Sequence, residues 1–114
     1  MPNYDSPIEI TFSALADPTR RAVVQALSGG PAAVSQLAKP FNMALPSFTQ
    51  HLGVLEDAGL IASERKGRMR ICSLNLDTLR KAEDWLAGHR REAEERLDRL
   101  EAHLKQQQKE KSNE

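Results

Sequence analysis

Pro46-Ser47-Phe48-Thr49-Gln50-His51-Leu52-Gly53-Val54-Leu55-Glu56-Asp57-Ala58-Gly59 is the stretch that decides the fold. Pro46 suits the first turn of a helix, where its missing N–H is no loss. Phe48, Leu52 and Leu55 fall at helical spacing and form one apolar stripe. Gly59 stands where a helix commonly stops. The spacing therefore predicts a helix over 46–58. With the stripe turned inward, Pro46, Gln50 and Gly53 point outward, and Ser47 and Thr49 lie on the flanks.

A second, shorter helix precedes it. Val34, Leu37 and Ala38 repeat at i, i+3 and i+4, and Pro40 ends the run. Two short helices joined by a tight turn read as a helix-turn-helix. Upstream, Asp17-Pro18 offers a capping oxygen followed by proline at the first helical position. Val23, Val24 and Leu27 follow at helical spacing, and Ser28-Gly29-Gly30-Pro31 terminates that helix. Ile8, Ile10, Phe12 and Leu15 suggest one more helix at the start, after a frayed 1–7.

Downstream the period changes. Ile61–Arg65 and Met69–Leu74 are short extended runs about Lys66-Gly67, which predicts a two-stranded ribbon over 61–74. Its tip is basic: Arg65, Lys66, Arg68 and Arg70 stand against Glu64 alone. From Thr78 to Gln106 there is no proline, and a single long helix is expected. Leu79, Ala82, Leu86, His89, Ala93, Leu97, Leu100 and Leu104 follow one another at steps of 3, 4, 3, 4, 4, 3 and 4, a heptad-like seam with one slip. The polar residues 107–114 are expected to be disordered.

The chain has 114 residues, enough for a single domain over 1–114. Its 16 basic and 16 acidic side chains cancel, so net charge says nothing about partners and the local basic tip says more. A lone cysteine, Cys72, excludes an internal disulfide and is expected to be inert if buried. No apolar run approaches the ~20 residues that span a bilayer. The start, Met1-Pro2-Asn3-Tyr4-Asp5, lacks a secretory pattern, so a cytoplasmic protein without membrane contact is expected.

The resulting plan is mainly α with a small β-hairpin: a winged helix-turn-helix with a long C-terminal dimerisation helix. At this point three segments resemble the ArsR family of regulators. Leu15-Ala16-Asp17-Pro18-Thr19-Arg20-Arg21 is similar to the family's opening motif. Ser47 to Leu52, continued by Val54 to Ile61, is similar to its recognition helix and exit, and Glu64-Arg65-Lys66-Gly67-Arg68 to its wing. The resemblance covers roughly residues 10–104 and implies a homodimeric repressor on a pseudo-palindromic operator in double-stranded DNA.

The expected DNA contacts are Ser47, Thr49, Gln50 and His51 on the helix, and Arg65, Lys66, Arg68 and Arg70 on the wing. Gln50 is the first choice for base readout, since a glutamine amide pairs bidentately with adenine. His51 sits at the edge of the inward stripe and suits a half-buried structural role or a phosphate contact. The expected dimer interface is Phe12, Leu86, Ala93, Leu97, Leu100 and Leu104. Gly53 departs from the resemblance, which implies a basic residue there. No Lys or Arg lies between residues 40 and 64, so electrostatic weight falls on the wing and on the helix N-terminus.

Metal sensing by relatives, as the resemblance implies it, uses cysteines on the third helix or paired ligands on the last. Ser35-Gln36-Leu37-Ala38-Lys39 has no cysteine. His89 and Glu92 supply half of the second pattern, but Leu76 and Thr78 stand where its other half belongs. Neither metal nor cofactor is expected, and the residues name no small-molecule inducer. Ser47 and His51, four apart, could touch across a helix turn, but catalysis would also need an orienting acid and an oxyanion pocket, so no enzyme is expected. The rival reading is a winged-helix module that grips another protein without specific DNA binding.

Overall fold

The computed structural model describes residues 6–112. Five helices and three strands follow in the order α1 (Pro7–Ala14), α2 (Pro18–Leu27), β1 (Ala32–Ala33), α3 (Val34–Ala38), α4 (Leu45–Asp57), β2 (Ile61–Lys66), β3 (Met69–Leu74) and α5 (Leu76–Ser112). They form two compact units, one ending at Ala82 and one beginning at Glu83.

The first unit carries the core. The α4 stripe of Phe48, Leu52 and Leu55 is buried with Val23 and Leu27 of α2, Leu37 of α3, Leu60 of the turn before β2, and Ile61 and Cys72 from the sheet. Start signals act where the residues place them. Asp17 caps α2 by accepting from the backbone N–H of Arg20 at 3.0 Å, with Pro18 at the first helical position. That N–H also holds the Asp17 carboxyl below the usual carboxylate range. In the turn between α3 and α4, the Phe41 ring lies 5.3 Å from Phe48, pinning the turn to the helix that follows.

Gly59 ends α4 with φ +74°, a conformation in which a Cβ would stand 3.3 Å from the Thr78 hydroxyl. Thr78 Oγ1 donates to the Gly59 carbonyl at 2.6 Å, so the close approach that glycine allows is also a hydrogen bond.

The ribbon is one strand richer than the sequence predicts. β1 pairs antiparallel with β3, Ala32 opposite Cys72 and Ala33 opposite Ile71, giving the order β1-β3-β2. Two alanines after Pro31 carry no β-branched or alternating signal, and only the neighbouring β3 makes them a strand. Between β2 and β3 the register places Ser63 opposite Cys72, Arg65 opposite Arg70 and Lys66 opposite Met69. Gly67 takes φ +63° in the turn.

The helix α5 begins two residues earlier than predicted, because the Asn75 side chain accepts from the Asp77 N–H at 3.1 Å. It also corrects the expected disorder over 107–114, since it remains helical through Ser112. Residues 106–111 are Gln, Lys and Glu, straight-chain helix formers, and Lys109 and Lys111 favour a helix C-terminus. Residues 1–5 and 113–114 lie outside the described residues; the expected fraying over 1–7 otherwise meets a helix that starts at Pro7.

In the second unit the helix is solvated on most sides. Arg90–Glu94 and Lys105–Glu101 pair at 3.1 and 3.4 Å across one turn, each contributing about 0.3–0.5 kcal/mol. Along it Leu86, Leu97, Leu100 and Leu104 are 52–64% exposed.

Candidate nucleic-acid interface

The helix α4 presents a polar end to solvent. Leu45, Pro46, Ser47, Thr49 and Gln50 are all exposed. Its N-cap is Ala44, which has no side chain to close the first turn. The backbone N–H groups of Leu45 and Ser47 are therefore open to an anion, as the charge pattern requires. Thr49 Oγ1 donates to the Leu45 carbonyl at 2.9 Å, which commits its proton within the helix. Among the described residues no hydrogen bond joins Ser47 and His51.

His51 is held from behind. Arg20 Nη1 lies 3.2 Å from His51 Nδ1, while Nε and Nη2 of the same guanidinium donate to the carbonyls of Ala14 at 2.6 Å and Ser13 at 3.3 Å. Asp17 Oδ2 stands 3.7 Å from the same ring nitrogen. A guanidinium only donates, so Nδ1 accepts and the ring proton sits on Nε2. The Asp17 oxygen, at 3.7 Å, is too far to accept a hydrogen bond from Nδ1, so the Arg20 contact decides the tautomer. Both alternatives left open for His51 are thus compatible: a half-buried ring tying α4 to the start of α2, with one N–H left to donate.

On the ribbon, side chains of cross-strand partners share a face. Arg65 and Arg70 therefore project together, on the face that carries Ser63 and the buried Cys72 toward the core. Like charges placed directly opposite destabilise a ribbon, and no carboxylate among the described residues forms an ion pair with Arg65, Lys66, Arg68 or Arg70. Lys66 lies on the opposite face with Glu64, which separates it from the arginine pair.

Arg70 differs from its neighbours in one respect that sequence reasoning missed. Its Nε donates to Ser63 Oγ at 3.1 Å, and Ser63 Oγ donates in turn to Glu56 of α4. No local pattern announces this chain, because it joins residues seven apart on different elements. Beside it the Cys72 thiol is pushed up by burial and then by the Glu56 carboxylate, with Arg70 opposing, which keeps it protonated and unreactive.

A hollow of about 360 Å³ between α3, α4 and β3 is lined by Gly53, Glu56, Arg70 and Cys72 among others. A Cβ at Gly53 would meet nothing within 4 Å. Gly53→Ala is therefore expected to stabilise the fold by about 1 kcal/mol, through the helix propensity glycine lacks. A thermal melt checks this, and an unchanged or lowered midpoint counts against it.

In the second unit the His89 ring packs tilted against Trp85, with centroids 4.2 Å apart and planes at 49°, and lies 3.9 Å from Glu92. Among the described residues no three His, Cys, Asp or Glu side chains converge on a metal position. Zinc added to dialysed protein is expected to leave DNA affinity within about twofold of its starting value, since a tetrahedral site needs more ligands than one helix turn offers. A larger effect that His89→Ala abolishes would overturn that expectation.

A helix whose N-terminal half has no side-chain cap and exposes Ser47, Thr49 and Gln50, followed by a ribbon with a basic tip, is the equipment of a winged helix-turn-helix DNA-binding protein. Comparison with known proteins agrees. A family described as a helix-turn-helix domain matches residues 15–64. The chain is 37% identical over 75 residues to the transcriptional repressor SdpR of Bacillus subtilis, a match covering 66% of this chain and 83% of that one. It is 41% identical over 75 residues to the HTH-type transcriptional regulator Rv2034 of Mycobacterium tuberculosis, covering 66% and 69% respectively. Its fold matches the crystal structure of the ArsR family transcriptional regulator RHA00566 with a TM-score of 0.75 and 49% identity, over 78% of this chain and 98% of that one. The chain belongs to the ArsR family of winged helix-turn-helix transcriptional regulators.

Proposed function

We propose that the protein is a homodimeric repressor that binds a pseudo-palindromic operator and acts by occupying promoter DNA. The observation that carries the DNA contact is the Arg65–Arg70 pair, facing together with no direct ion pair to a carboxylate among the described residues. In this reading Gln50 reads a base edge, Ser47 and Thr49 flank it, and His51 donates from Nε2 to the DNA. Arg65, Arg68 and Arg70 hold phosphates, with Lys66 approaching from the other face of the ribbon. The second copy covers the exposed seam of Leu86, Ala93, Leu97, Leu100 and Leu104, and Phe12 on α1 is a further contact of the dimer. Contiguous exposed leucines on a soluble helix support that assignment.

The protein works by binding, without catalysis or a cofactor. No helix among the described residues is long and apolar enough to cross a membrane, and a cytoplasmic location on chromosomal DNA follows from the role.

Selection of bound duplexes from a random-sequence pool tests the reading. Enrichment of a sequence with two-fold symmetry is expected. If no sequence is enriched and no duplex binds at low salt, the protein is instead a module that grips another protein.

A further inference from the structure

We propose that Leu45 and Thr49 together read one A·T base pair in each half-site. Leu45 lies against the thymine methyl, and Thr49 Oγ1 accepts from the adenine N6 amino group. The proposal deepens the operator reading above and rests on it.

Leu45 is the first residue of α4 and is 58% exposed, although a leucine at a helix start has no capping role. Thr49 stands one turn further on, so the two side chains are neighbours on one face of the helix. That face lies at the N-terminal end, the part of a recognition helix that meets base edges.

The Thr49 hydroxyl supplies the second observation. Its proton goes to the Leu45 carbonyl at 2.9 Å. What remains outward is a lone pair and a methyl group, with no donor. Such a group has nothing to give a phosphate or the major-groove edge of a guanine, which offer only acceptors, but it suits the exocyclic amino groups of adenine and cytosine. An acceptor alone does not separate those two. Leu45 does, because the pair that contains adenine also presents a methyl group in the major groove and the G·C pair does not. An apolar side chain beside an acceptor-only hydroxyl is thus the complement of the methyl-plus-amino edge of A·T.

The test uses the full-length protein and the duplex that selection enriches. Each thymine is replaced in turn by uracil, which removes only the methyl, and binding is followed by fluorescence anisotropy. One thymine per half-site is expected to matter, its loss weakening the wild type about fourfold. Leu45→Ala is expected to bind thymine and uracil duplexes equally. Replacing the paired adenine by purine, which lacks the N6 amino group, is expected to weaken the wild type and to leave Thr49→Val unaffected. Both side chains are exposed, so thermal melts should match the wild type and exclude a folding defect.

A selected operator with no methyl-sensitive thymine overturns the proposal while leaving the regulator reading intact. So does a Leu45→Ala variant that still prefers thymine as strongly as the wild type. Failure of selection to enrich any sequence overturns both.

Discussion

Replacing Leu97 and Leu100 together by glutamate is expected to turn the protein into monomers and to remove high-affinity operator binding. The two leucines are 64% and 53% exposed, three residues apart on the seam of α5. Covering a half-exposed leucine contributes about 1 kcal/mol. A dimer holds two copies of each, so about 4 kcal/mol is at stake, or roughly a thousandfold in the dimer dissociation constant. Four carboxylates brought together at the same seam add repulsion to that loss. Because neither leucine belongs to the buried core, the winged domain should stay folded as a monomer, with a melting temperature that no longer depends on protein concentration. Sedimentation velocity at micromolar concentration gives the answer, and a wild-type protein that sediments as a monomer would sink the idea.

Arg68→Ala and Gln50→Ala are expected to fail in opposite ways. Arg68 lies beside the Gly67 turn without an ion-pair partner among the described residues, so a phosphate is its natural counter-charge. Its loss should weaken cognate and scrambled duplexes alike. In a dimer two phosphate contacts disappear, and the slope of log affinity against log salt should fall by about 2. Gln50 carries no charge and contacts a base edge in this reading. Its replacement should cost about 1–3 kcal/mol per half-site on the cognate operator only, with the salt slope unchanged. Anisotropy across a salt series on both duplexes separates the two patterns. An Arg68→Ala variant with unaltered affinity and slope would show that the ribbon tip does not touch DNA.

The parts of the fold legible in the sequence are those that local chemistry decides. The Asp17-Pro18 start, the Phe48-Leu52-Leu55 stripe and the Gly67 turn each need only their immediate neighbours, and each stands where its residues place it. The strand Ala32–Ala33 exists only through its pairing with β3, so nothing within it could announce it. Helix through 107–112 was missed because polar composition was read as disorder, although glutamine, lysine and glutamate are competent helix formers. The exposed helix face that carries Gln50 was visible from the wheel. The Arg20–His51 contact spans 31 positions and was not, since periodicity carries no information at that range. Leu45 was passed over for a related reason: a leucine at a helix boundary reads as core until its exposure is known.

The hydrogen-bonded chain from Glu56 through Ser63 to Arg70 has a consequence for how fast and how tightly DNA is held. A free ribbon would have to be immobilised at the moment of contact, and ordering each long side chain there takes about 0.5–1.5 kcal/mol from affinity. Here the carboxylate near the end of α4 already fixes the arginine that stands opposite Arg65. That loss of motion is incurred when the chain folds, before any duplex arrives. If helix and ribbon contact DNA as proposed, they meet the duplex as one preorganised body, with a set span between the two. On that proposal the same coupling is expected to disfavour operators whose groove geometry calls for a different span.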